Sequence, residues 1–79
     1  QFLLDNYCFS KDETNIVPTE NIYNEYKIYA AKFGYRPISS SNLSKEIKKN
    51  FPQAFQPENA INHDGKRRRV WQKLKEINN

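Results

Sequence analysis

An apolar stripe at helical spacing over residues 20–33, a second helix over roughly 40–50 joined to it by a short turn, and an Asp64-Gly65 turn followed by four cations together predict three helices and a small β-hairpin. The predicted class is therefore mainly α, in the layout of a winged helix-turn-helix, with the hairpin as the wing. The 79 residues form one domain, 1–79, with no room for a second. Five Tyr, five Phe and one Trp supply the bulk for a compact core, although mean hydropathy is −0.99.

The first element is a short helix over residues 1–9. Phe2, Leu3, Tyr7 and Phe9 are apolar, with Leu4 and Cys8 filling in. Ser10 to Asn15 form a polar loop. Ile16 and Val17 are extended, because a proline at position 18 biases the residue before it away from the helical region. Thr19 reads as the N-cap of the next helix, with the Glu20 charge suited to its first turn. Ile22, Tyr26, Tyr29, Ala30 and Phe33 then recur on one helical face. Gly34 stands where a C′ glycine ends a helix.

Arg36-Pro37-Ile38 reads as an extended linker or a single bridging strand. Ser39 is the N-cap of the third helix, whose buried side is Leu43, Ile47 and Phe51; Pro52 stops it. Residues 52–57 are aromatic and irregular. The hairpin has Ala60-Ile61-Asn62 as one arm and Lys66 to Trp71 as a longer second arm, because Asp-Gly favours the positive φ of a tight turn. The end of the chain fits two periods. Val70, Leu74 and Ile77 suit a helix, and Val70, Gln72 and Leu74 suit a strand.

Charge is divided unevenly. Residues 1–35 hold three Lys against five acids, whereas residues 36–79 hold ten Lys and Arg against four acids. The basic half makes nucleic acid the first partner to consider. On the third helix Ser41, Lys45 and Lys48 fall opposite the buried side, and Ser44 and Lys49 flank them. Hydroxyls near the start of such a helix allow close approach to DNA, and lysines neutralise phosphate. A merely solvated face is the alternative. Lys66, Arg67, Arg68 and Arg69 repel one another until something anionic is bound. Strand alternation sends Arg67 and Arg69 to one face and Lys66 and Arg68 to the other. The alternatives for this run are an edge strand protected by charge or a linear localisation signal.

Tyr26, Tyr29, Phe33 and Trp71 are stacking candidates for single-stranded bases, but helical spacing favours packing for the first three. Catalysis finds no support. His63 sits in a turn beside Asp64, Cys8 reads as a core residue, and Asp12-Glu13 is a loop pair. No Cys/His spacing suits zinc and no Gly-rich loop cradles phosphate, so no catalytic residue, metal or cofactor is expected. One cysteine excludes an intrachain disulfide, and no stretch reaches the length of a membrane-spanning helix.

Several segments carry a family resemblance: Val17-Pro18-Thr19 with Tyr23-x-x-Tyr26; Pro37-Ile38-Ser39 with Leu43 and Ile47; and Ile61-Asn62 with Gly65-Lys66-Arg67-Arg68-Arg69-Val70-Trp71. Together they resemble the C-terminal winged-helix domain of phage/plasmid and poxvirus-type primase–helicases, over nearly the whole chain. In that family the domain follows a superfamily 3 helicase core. Two positions depart from the pattern. Lys73 stands before Leu74 where the family often has a small residue, and Ser39-Ser40-Ser41 stand where basic residues are common, which shifts weight to the wing.

The resemblance implies a non-catalytic DNA-binding domain of a mobile-element or viral replication initiator, with origin recognition as one role. Ser41, Ser44, Lys45, Lys48 and Lys49 would line the groove-facing helix, and Lys66, Arg67, Arg68 and Arg69 would grip phosphates. The expected partners are DNA, duplex rather than single-stranded, and the parent helicase core or other replication proteins, with no membrane. The expected location is the cytoplasm of a bacterial host or a viral replication site. A sequence without Met, beginning at Gln1, reads as a piece excised from a longer replication protein. The rival readings are a protein–protein docking module of the same protein and a stand-alone transcription regulator.

Overall fold

A computed structural model of the chain describes residues 2–63 and 65–77. The order is α1 (Phe2–Asn6), β1 (Tyr7–Phe9), β2 (Ile16–Pro18), α2 (Thr19–Lys32), α3 (Ser40–Asn50), β3 (Ile61–His63), β4 (Lys66–Arg68), β5 (Val70–Gln72) and β6 (Leu74–Glu76). Among the described residues there are thus three helices and six three-residue strands, the strands joined in three antiparallel pairs. The fold is α+β, which corrects the mainly α class expected from the sequence. The missed strands are too short for an alternation to show, and their partners lie more than fifty residues away along the chain.

The C-terminal ribbon organises two of the three strand pairs. β5 pairs with β2, setting Val17 opposite Trp71, and β6 pairs with β1, setting Tyr7 opposite Glu76 and Phe9 opposite Leu74. Between them Lys73 takes a left-handed conformation with φ of 63°. The kink turns the ribbon from one partner to the other. Its peptide groups stay satisfied, since Lys73 N–H donates to Asn15 O at 3.0 Å and Ser10 N–H donates to Lys73 O at 2.8 Å. The two readings left open for the end of the chain thus resolve to a strand over 74–76.

The helix expected over residues 1–9 ends at Asn6, whose side chain donates to Phe2 O. Tyr7, Cys8 and Phe9 continue as strand, so half-buried Cys8 belongs to a strand rather than to a helix face. On α2 the N-cap is Pro18, extended at φ −60°, and Thr19 is the first helical residue. The expected Thr19 cap is absent: Thr19 is already helical, and its hydroxyl accepts from Gln56 Nε2 at 3.1 Å, while its N–H donates to Arg69 O at 2.9 Å. The other end matches expectation. Gly34 has φ of 75°, Tyr35 N–H donates to Ala30 O and Gly34 N–H to Ala31 O, the two bonds of a Schellman motif. Phe33, read as part of the buried face, is the C-cap and is 56% exposed, because the helical stripe has run past the core.

Residues 36–38 form no strand. Tyr23 Oη instead donates to Ile38 O and Ile38 N–H donates to Tyr26 Oη, each at 3.1 Å. α3 then starts as expected, with Ser39 Oγ accepting from Asn42 N–H at 3.2 Å. Its Leu43 and Ile47 enter the core with Phe51 just beyond, and they meet Tyr7, Val17, Ile22, Ala54, Trp71 and Leu74 there. Burying these apolar groups is the main favourable term in so small a fold.

Candidate nucleic-acid interface

The hairpin begins from local rules. Ile61 faces Arg68 and Asn62 faces Arg67, with Gly65 at φ of 77° in the turn. The long second arm expected over 66–71 breaks at Arg69. There the chain leaves β3 and takes up β2, fixed by the Thr19 to Arg69 bond. This handover carries the basic run from the hairpin onto the body of the fold. Lys66, Arg67 and Arg69 are exposed and Arg68 is partly buried, but Arg67, Arg68 and Arg69 all line one recess, so the three arginines are not divided between two faces. The side chain of His63 and all of Asp64 lie outside the described residues.

Arg67 Nη2 donates to Ala60 O at 3.2 Å, which steadies the hairpin. Arg68 Nη1 lies 3.6 Å from Glu20 Oε2, longer than a hydrogen bond. The Arg68 side chain is 24% exposed and that of Glu20 is 71% exposed. Arg68 Nε is buried without a hydrogen-bond partner. The three arginines wall a recess of about 430 Å³, which Thr19 and Glu20 at the start of α2 and Ser40 at the start of α3 complete.

On α3, Ser41, Lys45 and Lys49 are exposed and Ser44 is half-buried. Lys48 is also exposed, but its ammonium donates to Pro52 O at 2.8 Å and to Ala54 O at 3.0 Å. It therefore fastens the segment after the helix, a common use of a cation near a helix C-terminus. A second recess of about 410 Å³ lies between Ser44, Lys45 and Lys48 on one side and Phe55, Gln56 and Trp71 on the other. Trp71 is 3% exposed and its indole N–H is buried without a hydrogen-bond partner.

The two recesses adjoin. Gln56 Nε2, from the second, donates to Thr19 Oγ1, in the wall of the first, at 3.1 Å. Arg67, Arg68 and Arg69 thus line one recess and Ser44, Lys45 and Lys48 a neighbouring one, while Lys66, Ser41 and Lys49 line neither. Thr19, Ser40 and Gln56, which join the two sets, were not singled out from the sequence as site residues. Gln56 carries no local signal, since it is placed by the isolated pairing of Phe55 with Gln72.

The remaining candidates lie elsewhere. Tyr26 and Tyr29 pack around Phe2, with ring centroids 5.7 and 5.2 Å away, and Tyr29 also meets Phe33 at 4.9 Å. Among the described residues no cluster of three His, Cys, Asp or Glu side chains is arranged to hold a metal ion, and no helix is long and apolar enough to cross a membrane.

Fold and surface together define a small α+β domain with two neighbouring recesses lined in part by basic side chains. Residues 5–78 match the family model described as poxvirus D5 protein-like. The chain belongs to that family, which supports the resemblance to poxvirus-type primase–helicases and a viral, replication-related setting. No curated protein matches the sequence.

Proposed function

We propose that this chain is a non-catalytic DNA-binding domain of a viral or mobile-element replication protein. The observation that supports the reading is the Gln56–Thr19 hydrogen bond between two neighbouring recesses, one lined by Arg67, Arg68 and Arg69 and the other by Ser44, Lys45 and Lys48; in this reading Lys66, Ser41 and Lys49 extend the same face. Cations sharing a concave face favour a polyanion over separate small anions. In this reading the hairpin contacts phosphates and α3 supplies base or backbone contacts, on duplex rather than single strands. Lys48 contributes field more than a direct bond, because its ammonium is engaged by two carbonyls. The domain needs no cofactor. It acts beside a helicase or primase core, in the host cytoplasm or at a viral replication site.

The acidic first half gives less support to a docking module. Asp12 accepts from Thr14, Glu20 faces Arg68 and Glu25 accepts from the Tyr7 hydroxyl, so at least three of its five acids serve internal contacts. A mobility-shift titration of duplex DNA at low and at physiological salt tests the proposal. The expected result is binding at both, weaker at the higher salt. No affinity at physiological salt would assign the domain to protein docking instead. A Ser41→Ala, Lys45→Ala variant should alter sequence preference if α3 reads bases, whereas uniform weakening would confine α3 to the backbone.

A further inference from the structure

The geometry points to the arginine recess as a site for a phosphate monoester, distinct in chemistry from the diester contacts of the surrounding face. It rests on the DNA-binding reading for one source of that group, the 5′-phosphorylated end of a strand; the other source is a free nucleotide.

Three observations converge. The recess is concave and walled by Arg67, Arg68 and Arg69, with Glu20 as its only carboxylate among the described lining residues. Its side chains thus carry a net charge of +2, three cations less one anion. Two helices of 14 and 11 residues also begin at its edge, each adding roughly half a positive charge. A monoester carries about −1.5 to −2 at neutral pH, so it matches this charge better than a singly charged diester does.

Donors are the second observation. Pro18 caps α2 without a side-chain bond, so the first-turn amides of α2 beyond Thr19 have no side-chain cap, whereas on α3 Ser39 Oγ already caps Asn42 N–H. The third is Arg68 itself. Its Nε is buried with no hydrogen-bond partner, and its nearest carboxylate stands at 3.6 Å. The Arg68 guanidinium thus lacks a hydrogen-bonded counter-ion, and a phosphate oxygen at its Nη groups would supply one. The largely exposed Glu20 carboxylate is the counter-ion that the ligand displaces.

The test compares one short duplex bearing 5′-phosphate or 5′-hydroxyl ends, titrated into the 79-residue chain by fluorescence anisotropy, with AMP and adenosine as competitors. The phosphorylated duplex should bind about tenfold tighter, equivalent to one good charge-assisted contact. Glu20→Gln should widen that ratio and Arg68→Gln should erase it. AMP, but not adenosine, should compete. A ratio of one in the wild-type chain and in Glu20→Gln, with AMP inert, overturns the inference even if Arg68→Gln fails to fold. Affinity for the hydroxyl-ended duplex reads the DNA-binding proposal separately. Its loss with AMP binding retained assigns the recess to a free nucleotide. A phosphate preference that survives in folded Arg68→Gln removes Arg68 from the site and overturns the geometry proposed.

Discussion

Lys73 offers the sharpest test of how the ribbon is built. Its φ of 63° is reached by glycine without penalty, whereas a residue with a Cβ pays about 1–2 kcal/mol there. Glycine in turn loses more freedom on folding, about 0.5–1 kcal/mol relative to alanine. Lys73→Gly should therefore gain a net of about 0.75 kcal/mol at the middle of these ranges, about 3–6 °C in melting temperature for a domain of this size. Both backbone bonds at the kink, to Asn15 O and from Ser10 N–H, are independent of the side chain and survive the change. Lys73→Ala keeps the strain and is the matched control. Thermal melts by circular dichroism of the three proteins would decide the matter. If glycine is no more stable than alanine here, the left-handed kink is not where the ribbon changes partner.

Other expectations follow from packing and charge. Ile47 is buried to 1% exposure, so Ile47→Ala should cost about 2–5 kcal/mol in chemical denaturation. Tyr7 is buried and its hydroxyl donates to Glu25 Oε1 at 2.8 Å; Tyr7→Phe should cost about 1 kcal/mol by the same assay. Burial first, and the bond to Glu25 second, hold the Tyr7 phenol above its ordinary range, so it stays the donor through neutral pH. Glu76 is pushed above the ordinary 4.5 by partial desolvation and then by the Glu25 charge and hydrogen bond. The folded state then favours its protonated form, so stability falls as pH rises from 4.5 through the raised value. Glu76→Gln should raise the melting temperature at pH 7, and the gain should vanish below pH 4.5.

The helices were legible because their signals are local. Ser39 caps α3 with the bond its sequence position implies, and Gly34 closes α2 through a left-handed turn. The strands were not, since three residues such as Tyr7-Cys8-Phe9 carry too little pattern to separate strand from helix, and only pairing with Leu74–Glu76 decides it. Thr19 shows how tertiary structure overrides a local rule. Its hydroxyl is engaged by Gln56, from far along the chain, and the N-cap position falls to Pro18. At the surface, the basic run was readable as charge, but its handover at Arg69 was not, because that depends on β2 arriving from far along the chain. Lys48 looked like its lysine neighbours, and only the fold shows its ammonium bound to Pro52 and Ala54.

The central claim is that hairpin and α3 hold one polyanion together, and the salt dependence of duplex binding tests it most directly. Each phosphate contact contributes about 0.9 to the slope of log affinity against log salt. Lys66→Ala, Arg67→Ala, Arg69→Ala together should flatten the slope by about 2.7, and Lys45→Ala with Lys49→Ala by about 1.8. The combined variant should lose the sum of both. Slopes that stay at the wild-type value in folded variants of either set would contradict the account.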